Sequence, residues 1–271
     1  MSHAHFPKIM GVLNVTPDSF SDGGIYNSRE SAQQQARYLI ESGADIIDIG
    51  GESTRPYADP VSVEEELERV IPAIEAVRQL SDIAISIDTT KALVAREAIH
   101  AGATIINDIS ALRLDESMIS VLHEYPTLDV VIMHMQGTPG TMQDNPNYHD
   151  VIKEITDFLK QQIDRLEAAG IMRDRIIIDP GIGFGKRLEH NLSIIKHLSS
   201  FSELGARLLL GHSRKRFLGE ITGIENPLER DHVTAVIAAL SFDKKPDILR
   251  VHDVKSTRDA LKVSQALHQA T

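Results

Sequence analysis

Polar and charged side chains stand at the ends of the short apolar runs in this sequence, and their types suit the binding of a polar or anionic ligand. Carboxylates and amides can pair with N–H groups, whereas arginine, lysine and histidine can donate to phosphate or carboxylate oxygens. Any one such residue could instead cap a helix or form a turn, but so many together favour a binding site. They are Asn14, Asp48, Asp88, Asn107, Asp108, His134, Asp179, Ser213, Arg214, Lys215, Arg250 and His252.

The last apolar run offers a pair of anion-binding side chains. Arg250 and His252 are separated by one residue, so on a β-strand they project from the same face. Both side chains can donate hydrogen bonds to phosphate oxygens. We therefore expect His252 to bind an anion together with Arg250, whereas for His134 we expect a structural or surface role.

Eight short apolar runs carry these residues and predict eight β-strands. The runs are rich in Ile, Val and Leu, and they lack the alternation of apolar and polar residues, as is typical of strands buried on both faces of a parallel sheet. The predicted strands span residues 9–14, 46–50, 83–88, 104–108, 130–134, 175–179, 207–211 and 248–252.

Amphipathic stretches between these runs predict helices, for example over residues 28–42, 63–80, 91–101, 151–169, 232–242 and 254–267. Strand and helix alternating eight times predict an α/β fold, a (β/α)8 TIM barrel, with a doubly wound open sheet as the alternative. No linker divides residues 1–271, so we expect a single domain. Active sites of this barrel lie at the carboxyl ends of the strands, where the polar side chains stand.

The overall composition excludes several classes of function. The chain has 28 Lys and Arg against 39 Asp and Glu, a formal net charge of −11, whereas nucleic-acid binding requires a basic surplus or stripe. Cysteine is absent, which excludes disulfides, thiolate metal sites and a cysteine nucleophile. The sequence has no apolar run of membrane-spanning length and no secretory pattern over residues 1–10. We expect a cytoplasmic protein that binds neither nucleic acid nor membrane.

The glycine-rich segment over residues 179–186 does not fit the common phosphate-binding signatures. A Walker loop needs GxxxxGK followed by Ser or Thr, but Arg187 follows the lysine and Pro180 occupies the first glycine position. The spacing also differs from the dinucleotide pattern GxGxxG. These glycines therefore predict a close approach of the backbone to a ligand.

Three segments closely resemble the dihydropteroate synthase family, namely MGVLNVTPDSFSDGG at residues 10–24, IGGESTRP at 49–56 and DPGIGFGK at 179–186. Shorter matches follow in the same order, with SIDT at 86–89, INDIS at 106–110, MHMQG at 133–137, SRK at 213–215 and RVHDV at 250–254. The resemblance implies a (β/α)8 barrel, in agreement with the strand pattern. It also implies the folate-pathway reaction that condenses 6-hydroxymethyl-7,8-dihydropterin diphosphate with p-aminobenzoate to give 7,8-dihydropteroate and diphosphate.

The resemblance implies a pterin pocket at the strand ends. A pterin presents two parallel donors that suit one carboxylate such as Asp179, and Asn107 can donate and accept on the same edge. Lys215 can donate to a ring oxygen or nitrogen. The expected pterin-binding residues are Asp88, Asn107, Met133, Asp179, Phe184 and Lys215. Met133 and Phe184 would be apolar walls, although plain core packing is the alternative for both.

The family's leaving group, diphosphate, needs cations and oriented donors. Asn14 offers a carbonyl oxygen to Mg²⁺, the expected cofactor, and Asp22 would be a second metal ligand. The residues expected to bind diphosphate are Asn14, Thr54, Arg55, Arg250 and His252. The catalytic set implied by the resemblance is Asn14, Asp22, Arg55, Lys215, Arg250 and His252.

The segments 16–25 and 53–59 contain glycine or proline and are expected to act as lids that exclude water. They would frame a slot for p-aminobenzoate, in which Ser213 and the start of the seventh helix meet the carboxylate. Arg55 would help to hold the closed state. The expected p-aminobenzoate-binding residues are Phe20, Thr54, Arg55, Pro56 and Ser213.

The implied mechanism is displacement at the pterin methylene carbon by the arylamine, with ionisation ahead of attack and no covalent enzyme intermediate. Positioning and electrostatic stabilisation of the departing diphosphate would supply catalysis. Two alternatives stay open, a pterin-binding paralogue without synthase activity and a pterin-dependent methyltransferase module. The resemblance also implies a homodimer formed through outer helices of the barrel.

Three positions depart from the family pattern, namely Tyr57, His212 and Val233. Tyr57 and His212 are expected beside the p-aminobenzoate region, so they bear on affinity more than on reaction type. Both substrates are anions, and with a net charge of −11 any attraction must be local. We therefore expect a cationic mouth formed by Arg55, Arg214, Lys215 and Arg250.

Overall fold

The computed structural model describes residues 5–16, 24–53, 59–138 and 140–270. Within these ranges eight parallel strands pair in sequence order, and β8 pairs with β1, so the sheet closes into a barrel. The strands are β1 (Lys8–Asn14), β2 (Ile46–Gly50), β3 (Ala84–Asp88), β4 (Ile105–Asp108), β5 (Asp129–Met133), β6 (Ile176–Asp179), β7 (Arg207–Leu210) and β8 (Ile248–Val251). The predicted (β/α)8 barrel is confirmed.

Helices alternate with the strands along the chain. They are α1 (Gly24–Glu41), α2 (Val63–Leu80), α3 (Ala92–His100), α4 (Met118–Glu124), α5 (Val151–Ala168), α6 (Leu188–Lys196), α7 (Arg216–Thr222), α8 (Asp231–Leu240) and α9 (Val254–Gln269). Short 3-10 turns lie at Arg173–Arg175, Leu198–Leu204, Pro227–Arg230 and Phe242–Lys244. No helix in the described ranges is long and apolar enough to cross a membrane.

Side-chain caps fix where several helices begin. Ser62 Oγ accepts from the backbone N–H of Glu65, and the Glu65 carboxylate accepts from the backbone N–H of Ser62, so a capping box starts α2. Asp150 and Asp253 cap α5 and α9 by accepting backbone N–H groups of the first turn. These caps start α2, α5 and α9 at the first residues of the predicted helices.

Three strands, β3, β4 and β6, begin one residue later than predicted, and for β6 a buried arginine explains the difference. Arg175 belongs to the 3-10 turn before β6 rather than to the strand. Its guanidinium donates to the carbonyl oxygens of Leu122, Tyr125 and Leu128 at 2.7–3.1 Å. These bonds satisfy a buried charge and tie the turn to the last turn of α4 and to the loop between α4 and β5.

Two cores stabilise the barrel. The outer core lies between the sheet and the helices and is filled mainly by Ile, Val, Leu and Ala. The inner core is a plug to which each strand contributes one side chain, consisting of Met10, Ile46, Ala84, Ile105, Val131, Ile177, Leu209 and Ile248. The next inward position lies two residues further along each strand, because strand side chains alternate. That layer consists of Val12, Asp48, Ser86, Asn107, Met133, Asp179, Gly211 and Arg250, so the barrel becomes polar immediately above its plug.

Candidate active site

Asp48 is the centre of the polar layer. It is fully buried, and its Oδ2 accepts a hydrogen bond from Arg250 Nε at 2.6 Å. Asn107 Nδ2 lies 3.4 Å from Oδ1 and 3.3 Å from Oδ2 of the same carboxylate. A buried charge needs such partners, since burial without them costs several kcal/mol, on the order of 3–5 when one partner is removed. Asp48 thereby connects β2 with β4 and β8 through the barrel interior.

Asp88 makes the second salt bridge of Arg250. Arg250 Nη2 donates to Asp88 Oδ2 at 2.7 Å, so the guanidinium joins the two carboxylates and neither contact uses Nη1. Burial raises the pKa of Asp88 to about 7, although Arg250 opposes the rise. Burial by itself would lower the pKa of Arg250, but Asp48 and Asp88 raise it, so the guanidinium stays charged.

Asp179 ends β6 and is also buried. Its Oδ1 accepts from the backbone N–H of Gly181 at 2.7 Å. Gly181 has φ +72°, and a Cβ there would collide with the carbonyl oxygen of His134, so only glycine lets this N–H reach the carboxylate. Burial raises the pKa of Asp179, while the Gly181 N–H and Lys215 lower it. The carboxylate is fixed in place by its own backbone.

Lys215 lies opposite an aromatic ring. Its Nζ is 4.0 Å from the centroid of the Phe184 ring, a distance at which an ammonium is attracted to the ring face. Burial and the nearby Arg250 lower the pKa of Lys215 to about 8, against the opposing effect of Asp179 and Asp88. The ammonium is therefore held in the pocket, and it loses its proton more easily than an exposed lysine does.

An apolar cluster adjoins this charged group. It consists of Ile109, Met133, Met135, Met142 and Phe184, all buried. Met133 pairs with Asp179 in the register of β5 and β6, so apolar and charged residues are neighbours on adjacent strands. Flexible methionines and a phenyl ring suit the faces of a flat heterocycle.

Ser213 and His252 are joined by two hydrogen bonds. Ser213 Oγ lies 2.9 Å from His252 Nδ1 and accepts from the backbone N–H of His252 at 3.1 Å. The neighbouring Arg214 is turned to α8, where its Nε and Nη2 each donate to Asp231 at 2.7 Å. Both polar residues thus link the loop after β7 to other elements.

A known family accounts for this arrangement. The sequence pattern of the family described as "Pterin binding enzyme" matches residues 10–252. The Escherichia coli K12 dihydropteroate synthase is 46% identical over 266 residues, which cover 98% of this chain and 92% of the relative. The chain belongs to the dihydropteroate synthases. The activity class predicted from the sequence, a transferase, is confirmed by that membership.

Solved dihydropteroate synthases have the same fold. The Xanthomonas albilineans enzyme with 4-aminobenzoic acid superposes with a TM-score of 0.92 at 45% identity, covering 98% of this chain and 94% of that one. The same enzyme in complex with 7,8-dihydropteroate gives a TM-score of 0.89 at 42% identity, with coverage of 98% and 95%. The resemblance therefore extends from sequence segments to the whole barrel.

Several residues predicted for the synthase site lie outside the described ranges. The remaining predicted side chains lie at the mouth of the barrel, where Asn14 is exposed at the end of β1. Arg250 contacts Asp48 and Asp88 rather than standing free beside His252. The residues outside the described ranges are Phe20, Asp22, Thr54, Arg55, Pro56 and Tyr57.

The described residues at the barrel mouth are compatible with a Mg²⁺ ion that has few protein ligands. Within the described ranges no group of three or more His, Asp or Glu side chains could hold a metal ion. Asn14 lies exposed at the barrel mouth and offers one amide oxygen. Mg²⁺ commonly takes one or two protein ligands and completes its shell with water and substrate phosphates, so this single oxygen is compatible with a metal that arrives with diphosphate.

Two further buried charged residues contact the predicted site residues, and the sequence predicts no role for them. Asp48 was recognised as a polar strand residue without a role, yet it anchors Arg250 and Asn107. Lys186 is buried and donates to the carbonyl oxygens of Phe184 at 3.0 Å and His134 at 3.3 Å, and its Nζ lies 3.0 Å from His134 Nδ1. The sequence does contain a signal for each residue. Asp48 is a carboxylate inside the apolar run IIDIG, and Lys186 ends the glycine-rich loop.

Lys186 and His134 support the glycine-rich loop that carries Phe184. Burial lowers the pKa of Lys186 to about 7, and burial together with Lys186 lowers the pKa of His134 to about 2. The His134 ring is therefore neutral and serves as a hydrogen-bond partner. The predicted structural role of His134 agrees with these contacts.

Two of the positions that depart from the family pattern, His212 and Val233, face the outer layer of the barrel. His212 is fully buried, and its Nε2 bonds to the carbonyl oxygen of Thr234 in α8 at 3.0 Å, so it faces the outer layer. Val233 packs against the outer core.

The prediction of a cationic mouth was wrong for two of its members, because Arg214 and Arg250 are paired with aspartates in salt bridges. Lys215 makes no salt bridge with a carboxylate of the described residues, and its Nζ lies over the Phe184 ring.

Proposed function

We propose that this synthase condenses 6-hydroxymethyl-7,8-dihydropterin diphosphate with p-aminobenzoate at the mouth of its barrel. The carbon–oxygen bond to diphosphate breaks, diphosphate leaves with the electron pair, and a carbon–nitrogen bond forms to the arylamine, which releases a proton. The observation that supports this proposal best is the buried carboxylate of Asp179, held by Gly181 beside Lys215 and an apolar wall.

Asp179 would orient the pterin. Its Oδ1 is held by the Gly181 N–H, and the carboxylate can still accept two parallel donors from the N–C–NH₂ unit of the ring. Asn107 is held by Asp48 and would form hydrogen bonds with the same edge of the pterin ring. Lys215 would donate to the ring carbonyl while Phe184 and Met133 cover the ring faces. Asp88 would take a further N–H and would stay paired with Arg250.

The diphosphate would be received at the ends of β8 and β1. His252 would donate to a phosphate oxygen, and Arg250 would donate through Nη1, which neither of its salt bridges uses. Asn14 and Asp22 would hold Mg²⁺ together with the phosphate oxygens, and the metal would neutralise charge on the leaving group. Thr54 and Arg55 belong to this proposal through the sequence resemblance.

The slot for p-aminobenzoate would lie between Ser213 and the segments that contain Phe20, Thr54, Arg55 and Pro56. The Xanthomonas albilineans relative has been solved with 4-aminobenzoic acid and with 7,8-dihydropteroate, so that enzyme binds the compounds that would be substrate and product here. The arylamine is a weak nucleophile, and the pterin ring can delocalise positive charge. Catalysis would therefore depend on positioning and on stabilisation of departing charge.

A turnover assay tests the proposal. The full chain is supplied with the dihydropterin diphosphate, p-aminobenzoate and Mg²⁺, and released diphosphate and 7,8-dihydropteroate are both measured. We expect equal amounts of the two products, and no dihydropteroate when p-aminobenzoate is omitted. Pterin binding by folded protein without either product would favour a binding paralogue instead.

We also propose that the synthase is a homodimer. Val236 and Leu240 of α8 and Val263 and Leu267 of α9 line one groove, and each is more than half exposed. A contiguous apolar surface of this kind typically marks an interface. Light scattering of the purified chain should give the mass of two copies, and Leu240→Glu should give one. Leu93→Glu, on the exposed surface of α3, is the matched control and should leave the dimer intact.

A further inference from the structure

One hydroxyl group serves two bonds at the junction of β7 and β8. The Ser213 Oγ accepts from the backbone N–H of His252 at 3.1 Å and lies 2.9 Å from Nδ1 of the same residue. Ser213 is nearly buried. The two residues are 39 positions apart in the sequence, so the contact depends on the barrel.

The donor and acceptor roles follow from the chemistry of the groups. A backbone N–H can only donate, so Oγ must accept there, and the hydroxyl keeps a single hydrogen. If that hydrogen is given to Nδ1, the neutral ring carries its proton on Nε2 and can donate to an anion. If instead Nδ1 donated to Oγ, a neutral ring would turn a lone pair on Nε2 toward the phosphate.

We propose that Ser213 is a positioning residue for His252, and that its hydroxyl serves the diphosphate side of the site rather than the carboxylate of p-aminobenzoate. This inference rests on the proposed function of His252 as a diphosphate ligand. Ser213 fixes the plane of the imidazole and sets the tautomer that donates through Nε2. A charged ring would reverse the donor of the 2.9 Å contact and keep the same orientation.

The two assignments of Ser213 differ in what they require of its hydrogen. When the ring is neutral with its proton on Nε2, a hydroxyl that donates to p-aminobenzoate cannot also donate to Nδ1, because it has one hydrogen. Loss of the hydroxyl would then weaken p-aminobenzoate and spare diphosphate. If Ser213 acts through His252, the loss must fall on diphosphate and must disappear once the imidazole is absent.

A double-mutant cycle on diphosphate binding tests the inference. The dissociation constant of inorganic diphosphate with Mg²⁺ is measured by calorimetry for the wild-type chain, Ser213→Ala, His252→Ala and the double variant. We expect Ser213→Ala to weaken diphosphate by roughly 3- to 10-fold, the range for one hydrogen bond, and to add less than about 2-fold when His252 is already alanine. In Ser213→Ala, KM for p-aminobenzoate should change by less than about 3-fold.

An unchanged diphosphate affinity in Ser213→Ala would overturn the inference, and so would the same loss with and without the imidazole. Ser213→Thr keeps the hydroxyl and should restore binding, whereas a threonine variant as weak as alanine would contradict the assignment. Thr257→Val removes another buried hydroxyl and should leave the affinity unchanged. Turnover of the wild-type chain is measured in parallel, so that failure of the synthase proposal is recognised separately.

Discussion

The two halves of the barrel mouth solve the problem of buried charge differently. On the side of β2, β3, β4 and β8, Arg250 is paired with Asp48 and Asp88, and Asn107 contacts the first of these carboxylates. On the side of β6 and β7, the Asp179 carboxylate accepts one hydrogen bond within the described ranges, from the backbone N–H of Gly181. Lys215 lies over the Phe184 ring and pairs with no carboxylate there.

The two halves differ in whether their buried charged groups already have partners in the absence of substrate. In the Arg250 half each charged group has a partner within the protein, so removing one partner should destabilise the fold. The Asp179 half retains hydrogen-bonding capacity and keeps its carboxylate and ammonium ready for a ligand. Substitutions on the two sides should therefore separate loss of binding from loss of stability.

Asp179→Asn should give the largest effect on binding. The asparagine oxygen can still accept from Gly181, but its NH₂ group opposes one of the two pterin donors, and the negative charge is lost. At about 1.5–3 kcal/mol for a hydrogen bond to a charged group, the loss of one bond lowers pterin affinity by about 10- to 150-fold, and the loss of the charge weakens the second bond as well. Calorimetry with a pterin ligand checks this value.

The same variant should leave the fold and the diphosphate site unaffected. Its thermal midpoint should stay within a few degrees of the wild type, and inorganic diphosphate with Mg²⁺ should bind as before. Unchanged pterin affinity in the folded variant would show that Asp179 does not orient the ring.

Asp48→Asn, on the other half of the mouth, should reduce stability more than pterin binding. The change leaves Arg250 with one carboxylate and removes a buried charge that also contacts Asn107, so stability should fall by about 3 kcal/mol, at the low end for breaking a buried pair. Urea unfolding measures that loss. A variant as stable as the wild type but with much weaker pterin binding would mean that both halves are binding surfaces, and the contrast between them would fail.

The barrel was predictable because its strands are encoded locally. A parallel strand buried on both faces needs a short apolar run, and IIDIG over β2 or IIID over β6 supplies one without reference to the rest of the chain. The polar residues that end those runs were predictable for the same reason, since position on a strand fixes the face.

The pairing of those residues was not predictable from local pattern. Arg250 is 202 residues from Asp48 and 162 from Asp88, and the contacts depend on closure of the barrel and on side-chain rotamers. Composition counts charges without showing which are neutralised, and Arg214 shows the consequence, because its bond to Asp231 turns it away from the expected mouth. Lys186 was overlooked because a lysine gives no signal that it is buried.

Lys215 should give the Asp179 half a characteristic pH dependence. Its pKa is lowered to about 8, mainly by burial, so the ammonium is charged below that pH and loses its proton above it. Because only the charged form is a strong donor, kcat/KM for the pterin substrate should fall above about pH 8, by about tenfold per pH unit. Lys215→Arg keeps the charge and should remove this alkaline limb.

Lys215→Met should lower kcat/KM by about 10- to 150-fold at pH 7, as expected for one hydrogen bond to a charged group at about 1.5–3 kcal/mol. The Arg250 half should be unaffected, so the unfolding free energy should change little. An alkaline limb that persists in both variants would assign the titration to another group.

Phe184→Leu should give the smallest loss of pterin affinity among these variants, and it tests how the Phe184 ring acts on Lys215. The ring stabilises the ammonium of Lys215 by about 0.5–2 kcal/mol, so its loss should weaken pterin binding by about 2- to 30-fold. Since the ring favours the charged form, the alkaline limb of kcat/KM should move to lower pH. A limb that moved to higher pH would mean that Phe184 acts on Lys215 chiefly by excluding water, because exposure of the ammonium would then outweigh loss of the ring contact.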